Sequence, residues 1–430
     1  MCGKFKSVKR GKRNNRQKYY CQNCKSWFQK DLTKTKKSTL NKNQILLDHL
    51  EGLSYRRLSE RYHVAKKSLC RIVNETTARF KNNFKITEYF SKQLSYSGNL
   101  ILDGKYIPVK EEVKIHSSSG IINGKIPRSK KRRKVSRGKV LIWGADYATH
   151  DLPHYEFGDS ENGWTFDNYF RQLKEIGYPL VSLTVDDKEE MARAAKRHYR
   201  DCIIQHCIRH YFTKVSRILA VGNIKKKIRS GEDQIERLFY AANDDYLPVT
   251  RRWSIKQAVK LSNEIAELEF KYELPIEFQN IIESILYSDD HETAARRAES
   301  LEKCFWPNRY KLRSQFDKQQ IAAVKKLMAD FKEHKEYLLN YLKYPHANIP
   351  NTTNLIEGYN SQLELRLNSI KGFETVETAR NYLNVWIIKR RFSKFTDCKK
   401  HFRGLNGKTP LEYGGADISD IRDWVEFCQN

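Results

Sequence analysis

Apolar positions recur along the chain at changing intervals, and each interval predicts a different kind of element. Within residues 41–79, Leu46, Leu50, Leu53, Leu58, Val64, Leu69 and Ile72 form a helical spine, in the order helix, helix, turn, helix. From residue 99 the pattern changes to short apolar runs bounded by turn-forming residues, the mark of buried strands. These runs are 99–109, 139–146, 154–157, 180–186 and 202–205, with amphipathic helices expected near 163–176 and 188–198. Strands first, then alternation with helices, predict a mixed sheet layered with helices. From about 206 to 345 the periodicity is helical throughout. Another helix is expected after Pro350, where Asn and Thr precede a periodic run. In it Ile356, Leu363, Leu367 and Ile370 share a stripe, with Glu357, Asn360, Ser361, Glu364 and Asn368 on the face beside it.

Three acidic residues stand out against this pattern. Asp103 interrupts an apolar strand, Asp186 ends another, and Glu357 falls in the first turn of the late helix. An ionised carboxylate in apolar surroundings is costly unless it is paired or binds a metal. Glu357 has a plainer reading, a capping box with Asn354 as N-cap. If the three converge at a sheet edge, they supply the oxygen ligands that hard cations such as Mg²⁺ or Mn²⁺ require. Two such ions roughly 4 Å apart activate a water or a 3′-hydroxyl and stabilise the leaving oxygen of a phosphoryl displacement. The chain holds 51 acids, so spacing alone does not choose between these readings.

Charge narrows the class of partner. The 430 residues carry 80 Lys and Arg, a net charge of +29, which points to a polyanion and above all to nucleic acid. No apolar run has the length of a membrane-spanning helix, and the basic N-terminus shows no signal-peptide pattern. Nine scattered Cys fit a reduced compartment with thiols or metal ligands better than a disulfide framework. A cytoplasmic protein is expected.

The basic residues are concentrated. Residues 1–42 hold 14 Lys and Arg against one acid, Asp31. Within them Cys2, Cys21 and Cys24 resemble a zinc ribbon with only its second Cys-x-x-Cys knuckle complete, three candidate zinc ligands lacking an evident fourth. The segment 53–71 has the cadence of a helix-turn-helix whose second helix presents Lys66, Lys67, Ser68 and Arg71 to DNA. A small helical bundle with a solvated basic face is the alternative. The run 124–139 has nine basic residues and no acid. It resembles a nuclear localisation signal, a common false positive, and reads rather as a DNA-contacting loop between strands, centred on Lys130, Lys131, Arg132, Arg133 and Lys134, with a merely solvated loop as the alternative.

A resemblance joins these pieces. Leu100-Ile-Leu-Asp103-Gly-Lys-Tyr, Asp159-Ser-Glu-Asn162, Leu183-Thr-Val-Asp186, Cys207-Ile-Arg-His210 and Thr352-Thr-Asn-Leu-Ile-Glu357-Gly-Tyr-Asn together resemble the Mutator-like (MULE-type) transposases of bacterial insertion sequences, over about residues 99–400. The resemblance implies an RNase H-like α/β fold with an Asp-Asp-Glu site, placed here on Asp103, Asp186 and Glu357. It also implies an all-helical insertion between the second Asp and the Glu, 357 − 186 = 171 positions apart. Asp187 follows Asp186 where the family usually has Gly, which makes Asp187 the alternative second carboxylate. Cys207 and His210 belong to the motif; half a zinc site is one reading of the pair, and a structural or DNA-positioning role near the active site is preferred.

The resulting organisation is a partial zinc-ribbon-like segment at 1–40, a helix-turn-helix at 41–80, a catalytic domain at 96–215 and 346–398, a helical insertion at 216–345 and a tail at 399–430. The expected function is a DNA transposase that binds the terminal inverted repeats of its element and performs cleavage and strand transfer with two Mg²⁺ (or Mn²⁺) ions, with Zn²⁺ as a candidate at the ribbon. Double-stranded DNA is the expected partner. Two or more copies are expected because two element ends must meet, and the family implies a bacterial, nucleoid-associated location. A domesticated, non-catalytic DNA-binding regulator and an RNase H-like nuclease without strand transfer are the alternatives. Trp253 and Trp306 are either core residues or platforms for a flipped base. Lys389, Arg390 and Arg391 read as a phosphate-contacting helix end, His206 as a residue turned away from the Cys207–His210 pair, and His49 and His63 as surface or core fillers.

Overall fold

The computed structural model describes residues 7–13, 16–22, 25, 27–29, 40–113, 133–243, 248–305, 317–370 and 372–429. The chain divides into two compact units, Met1–Thr76 and Thr77–Asn430.

In the first unit, β1 (Ser7–Arg13), β2 (Arg16–Cys21) and β3 (Trp27–Gln29) form an antiparallel sheet, with Ser7 opposite Cys21 and Tyr20 opposite Trp27. Cys21 is buried at the end of β2; Cys2 and Cys24 lie outside the described residues. Three helices follow: α1 (Lys42–Leu50), α2 (Tyr55–Tyr62) and α3 (Lys66–Thr77). Asn41 and Ser54 cap the first two, each side chain accepting a hydrogen bond from a first-turn N–H. His63, exposed, ends α2 in the left-handed conformation. Leu46, Leu50, Leu58 and Leu69 of the expected spine are buried, joined by Ile45 and Val73. His49 is buried and stacks on Tyr55. Lys66, Lys67 and Arg71 are exposed on α3, and Ser68 is half-buried.

The second unit starts with α4 (Asn83–Phe90) and continues through β4 (Asn99–Val113), β5 (Arg133–Asp146), β6 (Tyr155–Gly158), α5 (Gly163–Glu175), β7 (Ser182–Val185), α6 (Glu189–His198) and β8 (Ile203–His206). The five strands lie in the order β6-β5-β4-β7-β8. β5 is antiparallel to β4 and β6, while β4, β7 and β8 run parallel. The long β4–β5 ladder corrects the expected loop boundaries. Its pairing reaches Val113 opposite Arg133, so Arg133 and Lys134 begin a strand, while Lys130, Lys131 and Arg132 lie outside the described residues. Alternation divides the sheet's faces: Leu100, Leu102, Val140 and Ile142 pack with Phe166, Phe170 and Leu173 of α5 and Met191 and Ala194 of α6.

The helical stretch comprises α7 (Ile208–Ile218), α8 (Val221–Asn243), α9 (Pro248–Lys271), α10 (Glu273–Leu286), α11 (His291–Cys304) and α12 (Lys318–Lys343). Helices α7, α10, α11 and α12 share a second core built on Phe278, Ile282, Leu327 and Phe331. Trp253 on α9 is 58% exposed, which removes the core reading for it; Trp306 lies outside the described residues. The chain returns to the sheet through α13 (Asn354–Ile370) and α14 (Val376–Phe392), then ends with α15 (Pro410–Tyr413) and α16 (Trp424–Gln429). On the sheet face opposite α5, Trp143 packs against Tyr359 of α13 and Trp386 of α14. The expected phosphate-contacting end of α14 is corrected at Arg391, which is fully buried. Its guanidinium grips both oxygens of the equally buried Asp151, at 2.8 and 2.7 Å.

Candidate active site

Asp103 and Asp186 come together because their strands are parallel neighbours. The register runs Asn99–Ser182, Leu100–Leu183, Ile101–Thr184, and both residues lie two positions beyond its last pair. Every residue of β7 is buried, so the first polar side chain after it emerges at the sheet edge. Asp103 is half-buried on β4, which continues past β7.

The Glu357 helix is fastened to the same edge by polar contacts from both strand ends. Thr184 on β7 donates to the Pro350 carbonyl at 2.6 Å. Just past β8, Ile208 N–H donates to the Asn351 carbonyl at 3.0 Å. Cys207 Sγ accepts from the Thr353 N–H at 3.3 Å. α13 thus begins at the ends of β7 and β8, with its stripe residues Ile356, Leu363 and Leu367 buried.

These attachments place His210 between Asp186 and Glu357, while the ligand atoms of Asp103, Asp186 and Glu357 do not all lie within 4.8 Å of one another. His210 Nδ1 lies 2.6 Å from Asp186 Oδ1, and its Nε2 lies 3.8 Å from Glu357 Oε1. The shorter contact is an ion pair rather than an aligned hydrogen bond, because Asp186 Oδ1 is buried without a hydrogen-bond partner. Thr353 donates its hydroxyl to Glu357 Oε1 at 2.8 Å. The capping-box reading is therefore corrected: Thr353 precedes the helix, and Asn354 Oδ1 instead accepts from Arg209 at 2.6 Å. One turn after Glu357, Asn360 Nδ2 donates to Asp103 Oδ2 at 2.7 Å, while Asn360 Oδ1 accepts from Trp143 Nε1 at 3.1 Å. His210 and Asn360 therefore bridge α7 and α13 to the two strand aspartates.

Electrostatics follow from this crowding. Burial and the neighbouring Asp186 carboxylate push the Asp103 pKa up to about 6. The Asp186 carboxylate, followed by Cys207, raises His210 to about 10. Burial works against ionisation of Cys207, but hydrogen bonds from His210 and Thr353 outweigh it and lower its pKa. Asp186, Cys207 and His210 present donor atoms within 4.8 Å of one another, so the motif pair adjoins the second aspartate.

Asp187 turns elsewhere, bonded to Lys214 at 2.7 Å and His334 at 2.9 Å. Of the two adjacent aspartates, Asp186 is the one joined to His210. His206 closes β8 on the Asp187 side, away from His210.

Sequence reasoning missed Glu161, Lys188, Asn360 and Thr353 as members of this site. Glu161 Oε2 pairs with Lys188 at 2.7 Å, and its Oε1 is buried without a hydrogen-bond partner. A Cβ on Gly104 would lie 1.9 Å from that oxygen, so a side chain after Asp103 would push the Glu161 carboxylate aside. The Asp159–Asn162 motif was the available signal, and it did not mark which acid turns inward.

The oxygen donors present fit hard divalent cations. Asp103 and Asp186 lie close enough to raise the proton affinity of Asp103, and the buried Glu161 Oε1 has no hydrogen-bond partner.

No family model and no curated protein matches the sequence. Among solved structures, the chain is similar to the Drosophila P element transposase strand transfer complex, at 12% identity over 82% of this chain and 92% of that one, with a TM-score of 0.39. It is also similar to the Mos1 transposase paired-end complex with left transposon end, at 16% identity over 53% of this chain and 78% of that one, TM-score 0.16. For the Mos1 Strand Transfer Complex the values are 16%, 53%, 77% and 0.17. Overlap this partial assigns no function, and the functional reading rests on the site.

Proposed function

We propose that the chain is a DNA transposase of the RNase H-like, Asp-Asp-Glu type, with Asp103, Asp186 and Glu357 as its catalytic carboxylates. One observation carries the proposal: two aspartates at matching positions on adjacent parallel strands are tied by His210 and Asn360 to the helix bearing the glutamate. The strand order β6-β5-β4-β7-β8, with only β5 reversed within the β5-β4-β7-β8 set, is the order an RNase H-like sheet requires. The net charge of +29 supports DNA as the substrate.

Asp103, Asp186 and Glu357 would hold the divalent ions, Mg²⁺ or Mn²⁺, which when bound activate the attacking hydroxyl and stabilise the leaving oxygen. Asn360 fixes the rotamer of Asp103 and is itself held by Trp143. His210 and Thr353 hold Asp186 and Glu357 toward each other. Lys188 restrains Glu161 beside Asp103. Such preorganisation matters because small misplacements of catalytic groups cost large factors in rate.

Lys66, Lys67, Ser68 and Arg71 of α3, with the basic segment around Lys130–Lys134, would hold the element ends and target. Cys2, Cys21 and Cys24 remain the candidate zinc ligands of the N-terminal segment. The test is incubation of the purified chain, Mg²⁺, DNA carrying its element ends, and a target plasmid. Strand-transfer products that disappear in Asp103→Ala, Asp186→Ala and Glu357→Ala are expected. Cleavage without joined products would instead indicate a nuclease, and DNA binding without cleavage a regulator.

A further inference from the structure

On the far side of Asp186 a second cluster joins three elements. Asp187 follows β7, His206 ends β8, and His334 lies on α12 of the helical insertion. Their donor atoms all fall within 4.8 Å of one another. His334 Nε2 is 2.9 Å from Asp187 Oδ1, and His206 Nδ1 is 3.9 Å from the same oxygen. Zinc bonded at about 2.0–2.1 Å in a tetrahedron places its ligand atoms roughly 3.3 Å apart, and the two measured separations bracket that value.

Hydrogen bonding within the cluster argues for a cation. His334 Nδ1 lies 2.8 Å from the Asp330 carbonyl, which can only accept, so the proton is on Nδ1. In a neutral ring, Nε2 then directs a lone pair at Asp187 Oδ1, and two acceptors at 2.9 Å repel unless a proton or a metal ion lies between them. A backbone carbonyl behind one nitrogen is also how metal-binding histidines are oriented. His206 is 4% exposed, and its Nδ1, aimed into the cluster, has no hydrogen-bond partner. Tyr337 stacks on its ring. Lys214 opposes a cation, but it bonds the other oxygen of Asp187 at 2.7 Å, and Asp330 at 2.8 Å offsets its charge.

We infer that Asp187, His206 and His334 form a transition-metal site, of the kind that takes Zn²⁺, separate from the catalytic carboxylates. Two imidazoles and one carboxylate suit zinc and its neighbours better than magnesium. Bound there, the ion would staple the ends of β7 and β8 to the insertion helix α12. It would thereby hold the backbone next to Asp186. The inference stands on these three residues and does not require the transposase reading.

The test uses the full chain carrying Cys21→Ser and Cys24→Ser, stripped with chelator and titrated with Co²⁺ in excess Mg²⁺. One equivalent is expected, with visible d–d bands, no thiolate charge-transfer band, and displacement by Zn²⁺. His334→Ala and Asp187→Asn, each verified as folded by circular dichroism, should lose that equivalent. Zn²⁺ should raise the thermal midpoint of the stripped Cys-to-Ser chain and leave both variants unmoved. A charge-transfer band would place the metal on a cysteine thiolate instead and overturn the proposal. So would spectra unchanged in both variants, or no Co²⁺ bound. The Cys-to-Ser titration and the Zn²⁺-induced midpoint stand without either variant, should one fail to fold.

Discussion

Asp103 was legible from sequence because a charge inside an apolar strand has few explanations. Asn360 was not, because an asparagine on the polar side of a helix looks like any solvated residue. Its amide nonetheless connects Trp143 to the Asp103 carboxylate. Asn360→Ala should lower the cleavage rate by about tenfold or more, equivalent to losing roughly 1.4 kcal/mol of positioning. Asn360→Asp should lower it further by setting a like charge beside Asp103. Single-turnover cleavage checks both. A second residue-scale prediction lies away from the site. Burial, with a smaller contribution from Arg171, pushes the His154 pKa down to about 3, and neither ring nitrogen has a hydrogen-bond partner. Between pH 6.5 and about 3 the unfolded chain therefore binds a proton there that the folded chain refuses, so folding stability falls as pH falls through that window. His154→Phe should recover roughly 2 kcal/mol relative to the parent at pH 5 and show no such pH-linked gain at pH 8. Urea unfolding at the two pH values measures it.

At the scale of elements, the strands follow the sequence pattern because short apolar runs such as β7 are buried on both faces, and the Glu357 helix does so because one stripe of it is buried. The failures have physical causes. Arg133 and Lys134 read as loop because strands are seldom so basic, yet pairing with β4 extends that far. Lys389, Arg390 and Arg391 read as a phosphate-contacting helix end because the partners of Arg390 and Arg391 are remote in sequence. Asp151 lies 240 positions from Arg391. Arg390 sits over the ring of Tyr359. The Arg391 guanidinium also bonds Asn83 and Thr87 of α4, at 2.9 and 2.7 Å, and so ties α14 to the start of the second unit. Arg391→Met would leave Asp151 charged and unpaired in the core, at a cost of about 3–5 kcal/mol. Arg391→Met with Asp151→Leu should regain much of that loss, as equilibrium unfolding of the pair would show.

For the whole molecule, the excess positive charge would set how the proposed DNA binding responds to salt. Each neutralised phosphate contributes about −0.9 to the slope of log K against log salt. Replacing Lys130, Lys131, Arg132, Arg133 and Lys134 with Ser should flatten that slope by about 3 to 4 if the segment lies along DNA. An unchanged slope would remove it from the interface. The central claim concerns the three carboxylates as metal ligands, and a change of metal softness tests it most directly. Cleavage of DNA carrying the element ends should be measured for Asp103→Cys, Asp186→Cys and Glu357→Cys, in Mg²⁺ and again in Mn²⁺. A thiolate ligand disfavours Mg²⁺ more than the softer Mn²⁺. The site described here predicts activity lost in Mg²⁺ and partly restored in Mn²⁺ for at least one of the aspartate positions. Full activity of all three variants in Mg²⁺ would contradict it.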